Sequence, residues 1–153
     1  DLGGGPMPSA GGADTFLARY ASFDGSHQWS ERFGGSVTDQ PFGCAIAGSE
    51  IVISGYFGGS VDFGGGPLAS AGGNDVFVAK YRTADGGHSW SRPFGGPQDD
   101  AFPTIPGIGS GGVAAIGSGG VVVAGGCSII VDFGAGPATG SGLGDIFLLR
   151  LGP

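Results

Sequence analysis

An all-β fold built from repeated antiparallel sheets is what this sequence predicts, on three observations. First, the stretch at 61–81, VDFGGGPLASAGGNDVFVAKY, occurs in altered form at 1–20 (DLGGGPMPSAGGADTFLARY) and at 131–151 (VDFGAGPATGSGLGDIFLLRL). Asp62 answers to Asp1 and Asp132, Pro67 to Pro6 and Pro137, and Asp75 to Asp14 and Asp145. Self-similarity at long spacing marks a repeat architecture. Second, 37 Gly and 10 Pro punctuate a chain that is still 40% hydrophobic. Its apolar residues fall in short β-branched and aromatic clusters, which suit strands joined by tight turns. Third, the first two repeats each carry a hairpin-turn dipeptide between strand-forming runs, Asp24-Gly25 and Asp85-Gly86.

Residues 1–13 read as a glycine-rich turn. From Thr15 to Tyr20, Phe16, Ala18 and Tyr20 share one strand face, and Thr15, Leu17 and Arg19 the other. Gln28 to Phe33 is the returning strand, ended by Gly34-Gly35. Residues 42–48 (FGCAIAG) and 51–57 (IVISGYF) form two strands joined by Ser49-Glu50. Then 75–81 repeats the earlier strand, Phe77, Ala79 and Tyr81 against Val76, Val78 and Lys80, and its partner 89–94 carries Trp90 where the first repeat has Trp29. Asp62 lies 61 positions after Asp1, but Asp132 lies 70 after Asp62. The extra nine fall near 103–111 (PTIPGIGSG), where two prolines predict a surface loop. Beyond it, 113–117, 121–125 and 146–151 restore the strands.

Each full unit thus holds four short antiparallel strands. Neither strand parity is consistently polar, so the sheets are expected to be buried on both faces. A four-stranded unit of that kind, repeated along a chain, reads as a β-propeller blade. The expected organisation is one repeat region over 1–153: third and fourth strands of a first blade at 1–41, a second blade at 42–96, and a third blade lacking its outer strand at 97–153. That makes two full-blade equivalents plus an extra strand, nine strands at most, in an incomplete ring.

The run D-F-G-G-G-P-L-x-S-A-G-G-x-D-x-F-V-A-K-Y, followed by a hairpin, W-S-x-x-F-G-G and D-D, resembles the bacterial β-propeller repeat called SBBP. The likeness is closest over 61–100, good over 1–60 and weaker over 101–153. It implies a large secreted or surface-exposed bacterial protein, and it carries no catalytic residues with it. It also implies that the strand before the Gly-rich link and its predecessor are the two inner strands of a blade, and that W-S-x-x-F is outermost.

Bulk properties narrow the function classes. A net charge of −7 with six Lys plus Arg argues against nucleic acid or an anionic membrane as partner. No apolar run approaches the ~20 residues of a spanning helix. Asp99-Asp100 places carboxylates on opposite strand faces rather than across a cleft, so it is no acid/base pair. Gly64-Gly65-Gly66 leads through Pro67 into a strand, whereas phosphate loops lead into helices. There is no Gly-x-Ser-x-Gly elbow and no Asp-x-Asp-x-Asp-Gly calcium loop. The chain is therefore expected to be no enzyme, with no catalytic residue, metal or cofactor.

Asp14, Asp75 and Asp145 open equivalent strands, with Arg19, Lys80 and Arg150 five residues on. Recurrence in every repeat predicts turn stabilisation by these acids rather than a cation site. His27 with Trp29, and His88 with Trp90, are the ligand-binding candidates, because an aromatic face beside a polar ring suits a sugar. The structural alternative packs Trp between blades with His at the loop edge. The expected role is a non-catalytic adhesive or protein–protein interaction scaffold, secreted or at the cell surface or periplasm. The alternatives are a lectin-like carbohydrate-binding module and, distantly, a hydrolase fragment. Expected partners are the remainder of a longer propeller chain or further copies of the same chain, and a glycan or protein ligand. Phe16, Phe77, Phe147 and Trp90 are expected to be buried between sheets, and Cys44 and Cys127 to be buried free thiols.

Overall fold

A computed structural model describes residues 1–100, 112–117, 120–127, 130–140 and 145–152, apart from the Cys127 side chain. The loop expected at 103–111 and the environment of the Cys127 thiol lie outside the described residues. Among the described residues every regular element is a strand. In chain order these are β1 (Thr15–Tyr20), β2 (His27–Phe33), β3 (Gln40–Ala47), β4 (Glu50–Asp62), β5 (Pro67–Arg82) and β6 (His88–Phe94). Then come β7 (Gly112–Ile116), β8 (Gly120–Cys127), β9 (Ile130–Asp132), β10 (Pro137–Thr139) and β11 (Asp145–Leu151). All pair antiparallel: β1-β2, then β3-β4-β5-β6, then β7-β8-β11, with β9-β10 as a separate two-stranded ribbon. None of the sheets closes on itself.

Two strands run longer than expected. Pro67–Asn74, the repeat counterpart of the glycine-rich turn expected at 1–13, belongs to β5, and β4 extends to Asp62. The turn itself is confined to 63–66, with Gly64 at φ 104° and Gly66 at φ 102°, values open to glycine. One Asp62 carboxylate oxygen accepts both the Gly64 and Gly66 N–H groups, at 2.7 and 3.0 Å. The turn is therefore self-contained, and the chain re-enters the sheet at Pro67, opposite Asp62. Asp1 and Asp132 hold the same bonds in the other repeats. The third repeat distributes the counterparts of β4 and β5 over β8, β9, β10 and β11, which is why the strand segments exceed nine.

The sheets stack face to face through two apolar clusters, and the clusters are repeat-equivalent. In one, Phe57, Phe63, Phe77 and Tyr81 of the second repeat meet Leu17 and Phe33 of the first. In the other, Val121, Val131 and Phe147 of the third repeat meet Val78 and Phe94 of the second. Phe33 sits 6.1 Å from Phe63, and its counterpart Phe94 sits 6.1 Å from Phe133. The same ring pair joins both junctions.

Burial departs from expectation at the ends of the stack. Phe77 and Phe147 are buried, Trp90 is half-buried, but Phe16 is 59% exposed. Phe16 has the same strand position as Phe77, yet among the described residues no sheet faces it. On the far side of the third repeat, Ile146 is 72% and Leu148 74% exposed for the same reason. Cys44 is a free thiol as expected, but exposed rather than buried. It lies opposite Ile53 on β4, on the face turned toward the first repeat, where only two strands stand.

Candidate functional site

The two histidines occupy matching clasps. His27 Nε2 lies 3.0 Å from Ser30 Oγ, and His88 Nε2 lies 3.1 Å from Ser91 Oγ. Each ring meets a tyrosine edge-on, Tyr20 at 5.8 Å and Tyr81 at 5.9 Å. Each tyrosine hydroxyl in turn donates to a carbonyl of the link before it, Leu2 at 2.8 Å and Phe63 at 2.9 Å. The His88 ring lies against the link glycines so closely that a methyl at Gly65 would come 2.9 Å from Nε2. Burial, then the charges of Asp62 and Glu31, push the Tyr81 hydroxyl well above its ordinary pKa. In the third repeat Ala135 and Leu151 stand where Gly65 and Tyr81 do, so that repeat lacks the clasp's tyrosine and the glycine under its ring.

The tryptophans point elsewhere. A bulge between Arg19 and Tyr20 pairs Trp29 with Arg19 and His27 with Tyr20, and its counterpart pairs Trp90 with Lys80 and His88 with Tyr81. His27 and Trp29 are thereby held on opposite faces of the sheet, as are His88 and Trp90. Trp29 packs in the cluster between the first two repeats and donates Nε1–H to the Thr83 carbonyl at 3.2 Å. Arg19 Nη1 donates to the same carbonyl at 2.7 Å. The Gly86 turn sits under the Trp29 ring, where a methyl would lie 2.8 Å from Cε3. Trp90 packs against the cluster between the second and third repeats. Lys80, the counterpart of Arg19, is buried beside it; the position matching Thr83 is Pro153, outside the described residues.

Asp14 serves the link before β1 as expected, whereas Asp75 lies inside β5 and bonds along that strand rather than opening one. Asp14 accepts from Ala10 N–H at 2.8 Å and Asp75 from Ala71 N–H at 2.7 Å. Asp14 pairs at 2.9 Å with Arg32 rather than with Arg19. Burial raises the Asp14 carboxyl, but the bonds from Ala10 and Arg32 outweigh it and hold the pKa below the ordinary 3.8. Asp75 has no arginine at the position of Arg32, which is Pro93. Burial, then the charges of Asp100 and Asp99, raise its pKa above 3.8 against the Ala71 bond, and its Oδ1 is buried without a partner.

Asp39, which the sequence analysis passed over, and Asp100, which it weighed only as half of the Asp99-Asp100 pair, have no exposed surface. Asp39 is fully buried and accepts from Gly35 N–H at 2.6 Å and from Gly58 N–H at 3.2 Å, so it ties the first repeat to the second. Burial raises its pKa despite those bonds. Asp100, its counterpart, is equally buried and accepts from Gly96 N–H. The recurring spacing Gly35…Asp39 and Gly96…Asp100 was the available signal. Asp99 accepts from Asn74 N–H at 2.7 Å, so the adjacent pair divides between two jobs.

A stability prediction follows for Asp75. A carboxyl whose pKa is raised in the folded chain favours the fold at low pH, and that contribution is lost as pH rises through the folded pKa. Asp75→Asn keeps an oxygen for Ala71 and removes the buried charge. It is expected to stabilise the chain by up to about 1 kcal/mol at pH 7, with the gain shrinking as pH falls toward 3.8. Urea unfolding across that range checks it; a loss at pH 7 contradicts it.

Among the described residues, no group of three or more His, Cys, Asp or Glu is placed to hold a metal, and no helix is long and apolar enough to cross a membrane. The concave sites are shallow. One of about 340 Å³ lies where Asp75 and Arg92 meet Asp132 and Gly134 of the third repeat. Another of about 470 Å³ runs along β1 from Leu17 to Ser22, with Cys44, Ile46 and Ile51 opposite. No family model matches the chain, and no curated protein is significantly similar to it.

Proposed function

We propose that the chain is a run of β-propeller repeats of the SBBP type, acting as a non-catalytic secreted or cell-surface scaffold for adhesion or protein–protein interaction. The observation that carries this reading is the repeated junction: the same faces and the same phenylalanine pair join the first repeat to the second and the second to the third. The recurring His, Trp and Asp side chains are engaged in clasps, junctions and turns, as a scaffold requires. The outward faces of the stack, with Phe16 at one end and Ile146 and Leu148 at the other, are the two unmatched halves of that junction. Repeat arrays need such faces covered, by more repeats or by other copies.

The 153-residue chain is therefore expected to associate in solution, with a light-scattering mass above 14.9 kDa. Combining Phe16→Glu with Leu148→Glu should return it to that mass while retaining its β signal in circular dichroism. A wild-type chain that is a folded monomer at 14.9 kDa would overturn the reading. A glycan array separates the scaffold from the lectin-like alternative. Retention of one glycan class, lost in Trp90→Ala, would replace the scaffold role with carbohydrate binding.

A further inference from the structure

Two equivalent carboxylates differ in what stands beside them. In the first repeat, Asp14 Oδ2 accepts from Ala10 N–H and holds the Arg32 guanidinium at 2.9 Å. In the second, Asp75 Oδ2 accepts from Ala71 N–H, and Pro93 occupies the position of Arg32. The positions match in register as well as in sequence, since Arg32 lies opposite Phe16 and Pro93 opposite Phe77. In both repeats the other carboxylate oxygen, Oδ1, is buried without a partner. Only the first repeat brings a cation into contact with its acid.

Beside Asp75 lies the hollow of about 340 Å³, lined also by Arg92, Pro93 and Phe94 of β6 and by Asp132 and Phe133 of the third repeat. That volume is at the small end of the ~300–1,000 Å³ of ligand pockets and suits a single side chain. Asp75 is 1% exposed, so its carboxylate belongs to the floor of the hollow rather than to its rim. Pro93 is exposed and brings no donor to the acid. Arg92 lies opposite Val78, one position away from Pro93, and forms no ion pair among the described residues. Phe94 and Phe133 give an apolar wall against which an alkyl stem and a guanidinium plane pack well.

The charges agree with the geometry. Burial raises both carboxyl groups. At Asp14 the bonds from Ala10 and Arg32 outweigh it and hold the pKa below 3.8. At Asp75 the charges of Asp100 and Asp99 add to it, and the pKa lies above 3.8. A cation set on Asp75 would reverse that shift, and the chain's net charge of −7 attracts one.

We infer that this hollow is a docking site for an arginine side chain of a partner protein, whose guanidinium pairs with Asp75 as Arg32 pairs with Asp14. The planar fork of arginine matches a carboxylate with two parallel donors, whereas lysine offers a point charge. The inference rests on the reading of the chain as an interaction scaffold and names the partner's chemistry. The number of stacked repeats does not enter it.

The probe is a Gly-Gly-Arg-Gly-Gly peptide with acetyl and amide ends, so that the guanidinium is its one charge. It is titrated into the full 153-residue chain and followed by backbone amide chemical shifts. Saturable shifts are expected at Ala71, Asp75 and Gly95. A citrulline peptide, neutral and close in shape, should need about tenfold higher concentration, a difference of about 1.4 kcal/mol. Asp75→Asn, which is expected to stabilise the fold, should weaken binding of the arginine peptide by the same factor. Pro93→Arg places a guanidinium where Arg32 has one and should block the peptide while the β signal in circular dichroism is retained. No saturable shift, equal binding of the citrulline peptide, or undiminished binding to Asp75→Asn overturns the inference. Loss of binding in Arg92→Gln with full binding in Asp75→Asn assigns the hollow to an acceptor group and also overturns it. Methylguanidinium that binds where the peptide does not would assign the hollow to a small guanidine and overturn the protein partner. None of these results changes the light-scattering mass, which reads the stacking of end faces separately.

Discussion

Phe77→Ala is expected to lower the unfolding free energy by about 3–5 kcal/mol, the range for emptying a buried phenylalanine site. Phe77 has no exposed surface, stacks on Phe63 at 4.3 Å and meets Phe57 edge-on at 6.4 Å. Phe63 in turn touches Phe33 of the preceding repeat, so the lost ring loosens a junction as well as a sheet. The internal control is Phe16→Ala, the same residue type at the same repeat position but exposed. It should cost less than about 1 kcal/mol. Equal losses for the two, in urea unfolding at pH 7, would contradict the burial assigned to Phe77.

Gly55→Val should be of similar size for the opposite reason, too much volume rather than too little. A Cβ at Gly55 meets Phe77 Cε1 at 2.6 Å, Pro41 Cα at 2.7 Å and the Gln40 carbonyl oxygen more closely still. Two of those three neighbours are backbone and cannot swing aside. Overpacking of that kind costs about 3 kcal/mol or more when no rotamer relieves it. Gly43→Ala, on the neighbouring strand, meets nothing nearer than 3.8 Å and should change stability by no more than about 1 kcal/mol. Thermal unfolding of the pair distinguishes a glycine needed for space from one that is not.

Much of this architecture was legible from local signals. The Asp24-Gly25 and Asp85-Gly86 turns appear where the dipeptides stand, with Gly25 at φ 71° and Gly86 at φ 73°. β1 begins and ends at the expected residues because its alternation is uninterrupted. Residues 67–74 were misread because Gly, Ser and Ala hide a strand whose pairing comes from its neighbour rather than from its own propensity. Phe16 and Phe77 sit in near-identical local sequences, yet one is exposed and the other buried; burial belongs to the facing sheet, which no local pattern reports. Cys44 follows the same logic.

The candidate site was legible in residue type but not in orientation. The His-x-Trp spacing suggests shared direction, since alternate strand residues point the same way. The bulge opposite Tyr20 and Tyr81 breaks that rule and sends ring and indole to opposite faces. Asp39, and the buried role of Asp100, were hidden for another reason. Both accept from backbone N–H groups, and a backbone donor leaves no residue type to read.

The most direct test of the account is contact between consecutive repeats in solution. With phenylalanine rings selectively labelled, nuclear Overhauser effects should join Phe33 to Phe63 and Phe94 to Phe133, the two pairs whose ring centroids both lie 6.1 Å apart. Both pairs present, in a folded chain, is the result that repeat-by-repeat stacking predicts. Absence of both, or a contact joining Phe33 to Phe133 instead, would contradict it.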